Sequence, residues 1–137
     1  MKFAKEISVF LCDDIRQEVG NKVSLMGIYG KDVILPEIPF IFSKLCLLLS
    51  AKEVKRVIND LKVVIITPQN EQITLEIPAP PNQKVPQDIQ IGITMSPLNI
   101  KEEGEGKIEI FEKEESKPFI SHHFNLKKHE LGGDKRQ

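Results

Sequence analysis

Four ionisable side chains lie close together at the end of the first apolar run of the chain. They are Asp13, Asp14, Arg16 and Glu18. Two adjacent aspartates and a glutamate could bind a hard cation such as Mg²⁺ or Ca²⁺, and a metal-dependent enzyme could use such a site. However, alternation along an extended chain separates Asp13 from the other three side chains, and the compact glycine-containing turn of a calcium loop is missing. We therefore interpret these residues as a weak candidate polar cluster with a structural role, in which Arg16 pairs with a neighbouring carboxylate.

The histidines and cysteines are not spaced for a metal site or for nucleophilic catalysis. His122 and His123 are adjacent in a predicted strand and therefore point to opposite faces, while His129 lies in the predicted tail. We expect His122 to be partly buried and hydrogen-bonded. Cys12 and Cys46 both lie in apolar runs, which predicts two buried free thiols, with a disulfide between neighbouring strands as the alternative. No pattern indicates a catalytic group or a cofactor, so we predict neither.

Length and composition are typical of one globular domain. The chain has 137 residues, of which 40% are hydrophobic and 28% charged, with a formal net charge of -1. The near-neutral charge disfavours nucleic acid as a partner, because surfaces that bind nucleic acid are basic. No apolar stretch approaches the roughly 18 residues of a membrane span, and the apolar run near the N-terminus is too short for a signal peptide. We predict a cytoplasmic protein without membrane association, with one domain over 1–126 and a flexible tail over 127–137.

Apolar and polar residues alternate with a period of two through most of the chain, which is typical of strands with one buried face. Turn residues such as Gly20-Asn21 and Gly104-Glu105-Gly106 separate these runs. The predicted strands are 7–15, 22–29, 42–49, 61–67, 72–77, 88–95, 106–112 and 119–126, with a short edge strand at 33–35. Many short strands with frequent turns predict an all-β fold, an antiparallel β-sandwich of seven to nine strands with immunoglobulin-like topology.

One segment departs from this alternation and predicts a short helix over 51–60. Ser50 and Glu53 have the spacing of a capping box. An apolar stripe follows at helical spacing, with basic and polar residues, including Arg56, on the other face. The stripe consists of Val54, Val57, Ile58 and Leu61. The alternative is a strand that continues past Ser50 into a charged loop.

Two apolar runs, 45–49 and 63–66, do not alternate. A strand that is apolar on both faces needs cover on both. One face would belong to the core, and the other would lie under the predicted helix or in a subunit interface. Because the helix is too short to cover two strands, we predict self-association.

The segment LCDDIRQEVGNKVSLMGIYG (11–30) resembles the N-terminal signature of a family of uncharacterised bacterial proteins, DUF6941. In that family a strand ends in Asp, a polar turn with Gly-Lys follows, and a Gly comes next; here Asn21 separates Gly20 from Lys22. The segments DLKVVIITPQNEQITL (60–75) and EEGEGKIEIFEKEESKPFISHHFNL (102–126) are similar to its later strands, and the second also resembles the last hairpin of immunoglobulin-like sandwiches. The resemblance implies a fold and transfers no functional residues.

Together these observations predict a non-enzymatic binding or assembly module that acts through protein–protein interaction. A full set of core strands without a convergent catalytic group favours this function. The alternatives are a domain that binds a small ligand or carbohydrate, and a metal-dependent enzyme that uses Asp13, Asp14 and Glu18. The expected partner is an unidentified protein, and a second copy of the chain, giving a homo-oligomer, is one candidate.

Overall fold

The computed structural model describes residues 3–20 and 22–130, which form eleven strands and contain no helix. The strands are β1 (Ala4–Glu18), β2 (Lys22–Ile28), β3 (Asp32–Leu35), β4 (Phe40–Phe42), β5 (Leu45–Val54), β6 (Leu61–Ile66), β7 (Gln72–Ile77), β8 (Gln87–Met95), β9 (Leu98–Ile100), β10 (Gly104–Glu112) and β11 (Ile120–Lys128). Every predicted strand is present, with bounds that differ by up to five residues. The predicted number was too low because β4 and β9 have three residues each, too few to show alternation.

The strands form three sheets. One has four strands in the order β2-β1-β5-β8, the second has five in the order β3-β11-β10-β6-β7, and β4 and β9 form a separate pair. All neighbouring strands are antiparallel except β3 and β11. The prediction of an all-β fold built from antiparallel sheets is therefore confirmed.

The two larger sheets share one buried core. Leu47 on β5 and Ile93 on β8 belong to the same cluster as Ile108 on β10 and Phe124 on β11. Each of these four side chains is at most 2% exposed. Full burial of one such side chain contributes about 1.5–3 kcal/mol, so the contact between the sheets is the main source of stability for both.

The predicted helix over 51–60 is wrong, and the alternative of a continuing strand is correct. β5 runs to Val54, and Ala51 pairs with Ile7 of β1 on one side and Ile89 of β8 on the other. The backbone hydrogen bonds of the sheet therefore replace those of a helix. Val57, predicted on the apolar stripe, is 54% exposed, because 55–60 is an irregular connection rather than a helix.

A hairpin covers part of the outer face of the four-stranded sheet. Beyond Cys12, the last residue that pairs with β5, β1 pairs only with β2 in the described part of the chain. We call 13–18 together with β2 the hairpin arm. Ile15 of the arm lies against Gly92 of β8: a Cβ at Gly92 would be 3.3 Å from Cδ1 of Ile15. Ile15 and Leu48 line the same groove.

This cover removes the reason for predicting a subunit interface at 45–49. All five residues of that run are at most 4% exposed within one chain. Since neither a helix nor a second subunit is needed to bury them, self-association stays a prediction without this support. On the other large sheet, Val64 of β6 is 7% exposed. Its neighbours on the adjacent strands are Glu109 of β10 and Thr74 of β7.

The last strand continues past the predicted boundary of the tail. Lys127 and Lys128 belong to β11 and pair with Ile34 and Leu35 of β3, so the ladder there extends two residues beyond 126. The remainder of the predicted tail from residue 131 lies outside the described residues. In the described ranges, no helix is long and apolar enough to cross a membrane.

Candidate functional site

The structure places Asp13 in a local contact with the second strand of the arm. The hydroxyl of Tyr29 donates to Asp13 Oδ1 at 2.5 Å, and the Asp13 carboxyl group lies over Gly27. Gly27 has a φ of 65°, and a Cβ there would be 2.9 Å from Asp13 Cγ. Desolvation, and then the hydrogen bond to Asp13, raises the pKa of Tyr29. Asp13 therefore fixes the base of the arm.

Asp14 faces a different set of partners. Lys44 Nζ lies 2.5 Å from Asp14 Oδ1, and Arg16 Nε lies 3.7 Å from Oδ2. The hydrogen bond from Lys44 holds the pKa of Asp14 below its ordinary value, with a smaller contribution from the backbone amide of Ile15. The predicted pairing of Arg16 with a carboxylate is therefore present.

The fourth member of the predicted cluster, Glu18, lies further out along the arm. Its Oε2 accepts a hydrogen bond from the hydroxyl of Ser24 at 2.7 Å. The three carboxylates thus have separate partners and do not converge on a common point. Within 3–20 and 22–130, no three His, Cys, Asp or Glu side chains are grouped so that they could hold a metal ion.

The adjacent histidines of β11 point to opposite sides, as predicted. His122 stacks on the ring of Phe124 at a centroid distance of 6.1 Å, whereas Nδ1 of His123 lies 3.2 Å from Oε2 of Glu105. The expected hydrogen bond of His122 is missing at Nε2, which is buried without a partner among the described residues. Burial lowers the pKa of His122.

Both cysteines are free and buried, as predicted. Cys12 of β1 lies directly opposite Cys46 of β5 in the antiparallel ladder. The Sγ of Cys12 donates to the backbone oxygen of Asp14 at 3.5 Å, and that of Cys46 lies 3.8 Å from the hydroxyl of Thr94.

An apolar concavity lies between two strand edges, at one side of the molecule. We call it the edge cleft. It has a volume of about 710 Å³. Its apolar walls come from both large sheets and consist of Phe3, Ile7, Phe119 and Ile120. The rings of Phe3 and Phe119 are in edge-to-face contact, with centroids 5.0 Å apart.

Both strands that border the edge cleft have an unpaired side. β1 pairs with β5 from Ala4 to Cys12, but its contact with β2 begins only at Cys12. β11 pairs with β10 from Ile120 onwards, but its contact with β3 begins only at Asn125. In the described part of the chain, 4–10 and 120–124 therefore each present one free backbone edge.

An ion pair joins the connection between β5 and β6 to β10 at one end of the edge cleft. The guanidinium of Arg56 donates to both carboxylate oxygens of Glu112, at 2.6 and 3.0 Å, and Asn59 N donates to Oε2 at 3.1 Å. The guanidinium carbon also lies 5.3 Å from the centre of the Phe3 ring. The hydrogen bonds from Arg56 hold the pKa of Glu112 below its ordinary value, against the opposing effect of burial.

The sequence did not reveal the edge cleft. Arg56 was assigned to the polar face of a helix, and its partner Glu112 lies 56 residues further along the chain. Phe3 and Phe119 lie near opposite ends of the chain, so no local pattern links them. The only available signal was the position of Phe119 directly after a turn, at the start of the last predicted strand.

These features define an all-β protein whose two large sheets share one core and whose predicted polar cluster has its three carboxylates on separate partners. The model of a family of unknown function (DUF6941) matches residues 7–121, and the chain belongs to that family. The resemblance found in the sequence is thereby confirmed. No curated protein and no solved structure matches the chain.

Proposed function

We propose that the protein is a non-enzymatic binding module that accepts an extended segment of a partner protein in the edge cleft. One observation carries this proposal: the free edges of β1 and β11 both border an apolar concavity. Unpaired backbone amides and carbonyls on a strand edge are the groups that pair with an added strand. Apolar walls then accept alternate side chains of the added segment.

The edge cleft also has the composition of a binding site for protein. Aromatic residues and arginine are enriched where binding energy is concentrated, and Phe3, Phe119 and Arg56 lie together here. The Arg56–Glu112 pair already satisfies both charges, so the site favours a partner segment that is apolar along the facing side rather than charged.

We further propose that the sandwich has immunoglobulin-like topology. In that fold, strands A, B and E are neighbours in one sheet, and G, F, C and C′ are neighbours in the other. The orders β1-β5-β8 and β11-β10-β6-β7 have the same connectivity. The hairpin arm and the β4–β9 pair are additions to this scheme, and strand D has no counterpart in the four-stranded sheet.

A selection from random nine-residue peptides displayed on phage tests the function. A selected peptide is then synthesised in three forms: unmodified, N-methylated at odd positions and N-methylated at even positions. N-methylation removes backbone donors without changing side chains. Because only one side of an added strand faces β1 or β11, we expect one methylated form to lose at least tenfold in affinity and the other to bind nearly as well as the unmodified peptide.

Two matched variants locate the site. Ile120→Lys places a charge in the edge cleft and should abolish binding, whereas Ile41→Lys places the same charge at a side chain that is 62% exposed elsewhere and should not. Equal binding of both N-methylated forms, equal loss in both variants, or a selection that gives no binding peptide would contradict the proposal.

A further inference from the structure

The two cysteines occupy directly opposed positions on neighbouring strands. In the β1–β5 ladder Cys12 pairs with Cys46, so both side chains project from the same face of the sheet. Directly opposed residues of antiparallel strands have Cα atoms about 4.5 or about 5.5 Å apart. Disulfides span about 4.4–6.8 Å between Cα atoms. The backbone of this rung is therefore already within the range that a disulfide requires.

The Cys12–Cys46 pair also lies at the base of the hairpin arm. It is the last pair of the β1–β5 ladder before β1 leaves β5 and continues into the hairpin arm. Both side chains are at most 1% exposed, and burial raises the pKa of Cys12. The thiols therefore react slowly while the arm is closed, and local opening of the arm gives oxidants access to them.

We propose that Cys12 and Cys46 are a reversible oxidation site that forms an intramolecular disulfide between β1 and β5. With hydrogen peroxide, the thiolate of one cysteine attacks the O–O bond, which yields a sulfenic acid and, after protonation of the leaving hydroxide, water. The second thiolate then attacks the sulfenic sulfur, forms the S–S bond and releases the second oxygen as water. Peroxide is reduced by two electrons, and the two thiols are oxidised by two. A dithiol such as dithiothreitol reverses the step by thiol–disulfide exchange.

The expected effect is a covalent link at the base of the arm. The closed loop contains the whole hairpin arm, β3 and β4, so separation of β1 from β5 at this rung is no longer possible without reduction. The bond is intramolecular, because Cys12 and Cys46 oppose each other within one chain, so it creates no covalent link to a second copy.

The test treats the full chain, at low micromolar concentration, with excess hydrogen peroxide. Free thiols are counted after denaturation, and the intact mass and the mobility on a non-reducing gel are recorded. We expect both free thiols to be lost with a mass decrease of two hydrogen atoms, no dimer band, and full recovery of both thiols with dithiothreitol. Peptide mapping should place the bond between Cys12 and Cys46.

A matched control separates this geometry from general thiol reactivity. In the variant Cys12→Ser/Ser8→Cys, the new cysteine is on the same strand and face, but its ladder partner is Ser50 rather than Cys46. Its distance from Cys46 along the ladder is about 13 Å, so we expect the intramolecular disulfide to form at least tenfold more slowly. Comparable rates in the two proteins, persistence of both thiols in the native chain, or their conversion to higher acids or intermolecular links would overturn the proposal.

Discussion

Replacement of Arg56 by methionine tests whether the ion pair with Glu112 stabilises the fold by holding the connection between β5 and β6 against β10. Methionine keeps an unbranched apolar chain against the Phe3 ring but removes two of the three hydrogen bonds that the Glu112 carboxylate accepts. The Glu112 side chain is 9% exposed, and that of Arg56 is 47% exposed. The variant therefore leaves an almost buried carboxylate with one backbone donor.

The expected loss in the free energy of unfolding lies between the values for surface and buried ion pairs. Breaking a buried pair costs about 3–5 kcal/mol, whereas exposed pairs contribute about 0–1 kcal/mol. Because water reaches one partner, we expect Arg56→Met to lower the free energy of unfolding by about 2 kcal/mol. For a chain of this length, that corresponds to a fall in Tm of about 7 °C.

The pH dependence gives the prediction a second, independent readout. Arg56 lowers the pKa of folded Glu112, so the pair stabilises the fold fully above the unfolded pKa of about 4.3. This stability is lost as the pH falls through the folded pKa. Urea denaturation at several pH values should therefore show a deficit for Arg56→Met that is largest near pH 7 and shrinks below about pH 4.

A double-mutant cycle with Glu112→Gln and one control variant complete the experiment. We expect the double variant to lose less than the sum of the single losses, because each single change already removes the pair. Arg16→Met removes an exposed contact of 3.7 Å to Asp14 and should lower Tm by less than about 2 °C. Additive losses, or a deficit that is constant between pH 3 and 7, would refute the reasoning.

Two glycines give further predictions. Gly27→Ala forces a side chain into the left-handed region and against the Asp13 carboxyl group, which separates Asp13 from Tyr29. We expect urea denaturation to show a loss of about 2–3 kcal/mol, reduced to about 1 kcal/mol in an Asp13→Ala background; equal losses in both backgrounds would rule out the clash. Gly106→Ala would place a Cβ 2.7 Å from Cζ of the buried Phe124 ring. We expect a loss of about 2 kcal/mol, and a Tm within 2 °C of the original protein would contradict this packing argument.

Alternation of apolar residues predicted most of the fold because each long strand buries one face. β7 was predicted with its observed bounds, Gln72–Ile77. The wrong prediction, the helix over 51–60, falls where sheet pairing and burial in the tertiary structure decide the conformation. Val54, at the end of β5, is 0% exposed, and Ile58, in the irregular connection that follows, is 2% exposed. Two buried residues at this spacing would also be expected in a helix. A period that two structures share cannot discriminate between them.

The binding surface could be predicted much less well than the strands. The sequence drew attention to Asp13 and Asp14 because charges inside an apolar run are conspicuous, and the structure gives each a separate local partner. The edge cleft depends instead on which strand edges remain unpaired, which is a property of the topology. Phe3 and Phe119 become neighbours only when both sheets have formed.

The parallel pairing of β3 with β11 has a consequence for synthesis of the protein. β3 is complete at Leu35, but its partner residues extend to Lys128. The ribosome adds about 5–20 residues per second. Several seconds therefore pass between synthesis of β3 and synthesis of its partner strand β11. The delay between synthesis of Phe3 and synthesis of its contact partner Phe119 is longer still. Folding of this chain is therefore completed after translation of its last strand, and until then the nascent chain exposes an unpaired strand that chaperones can bind.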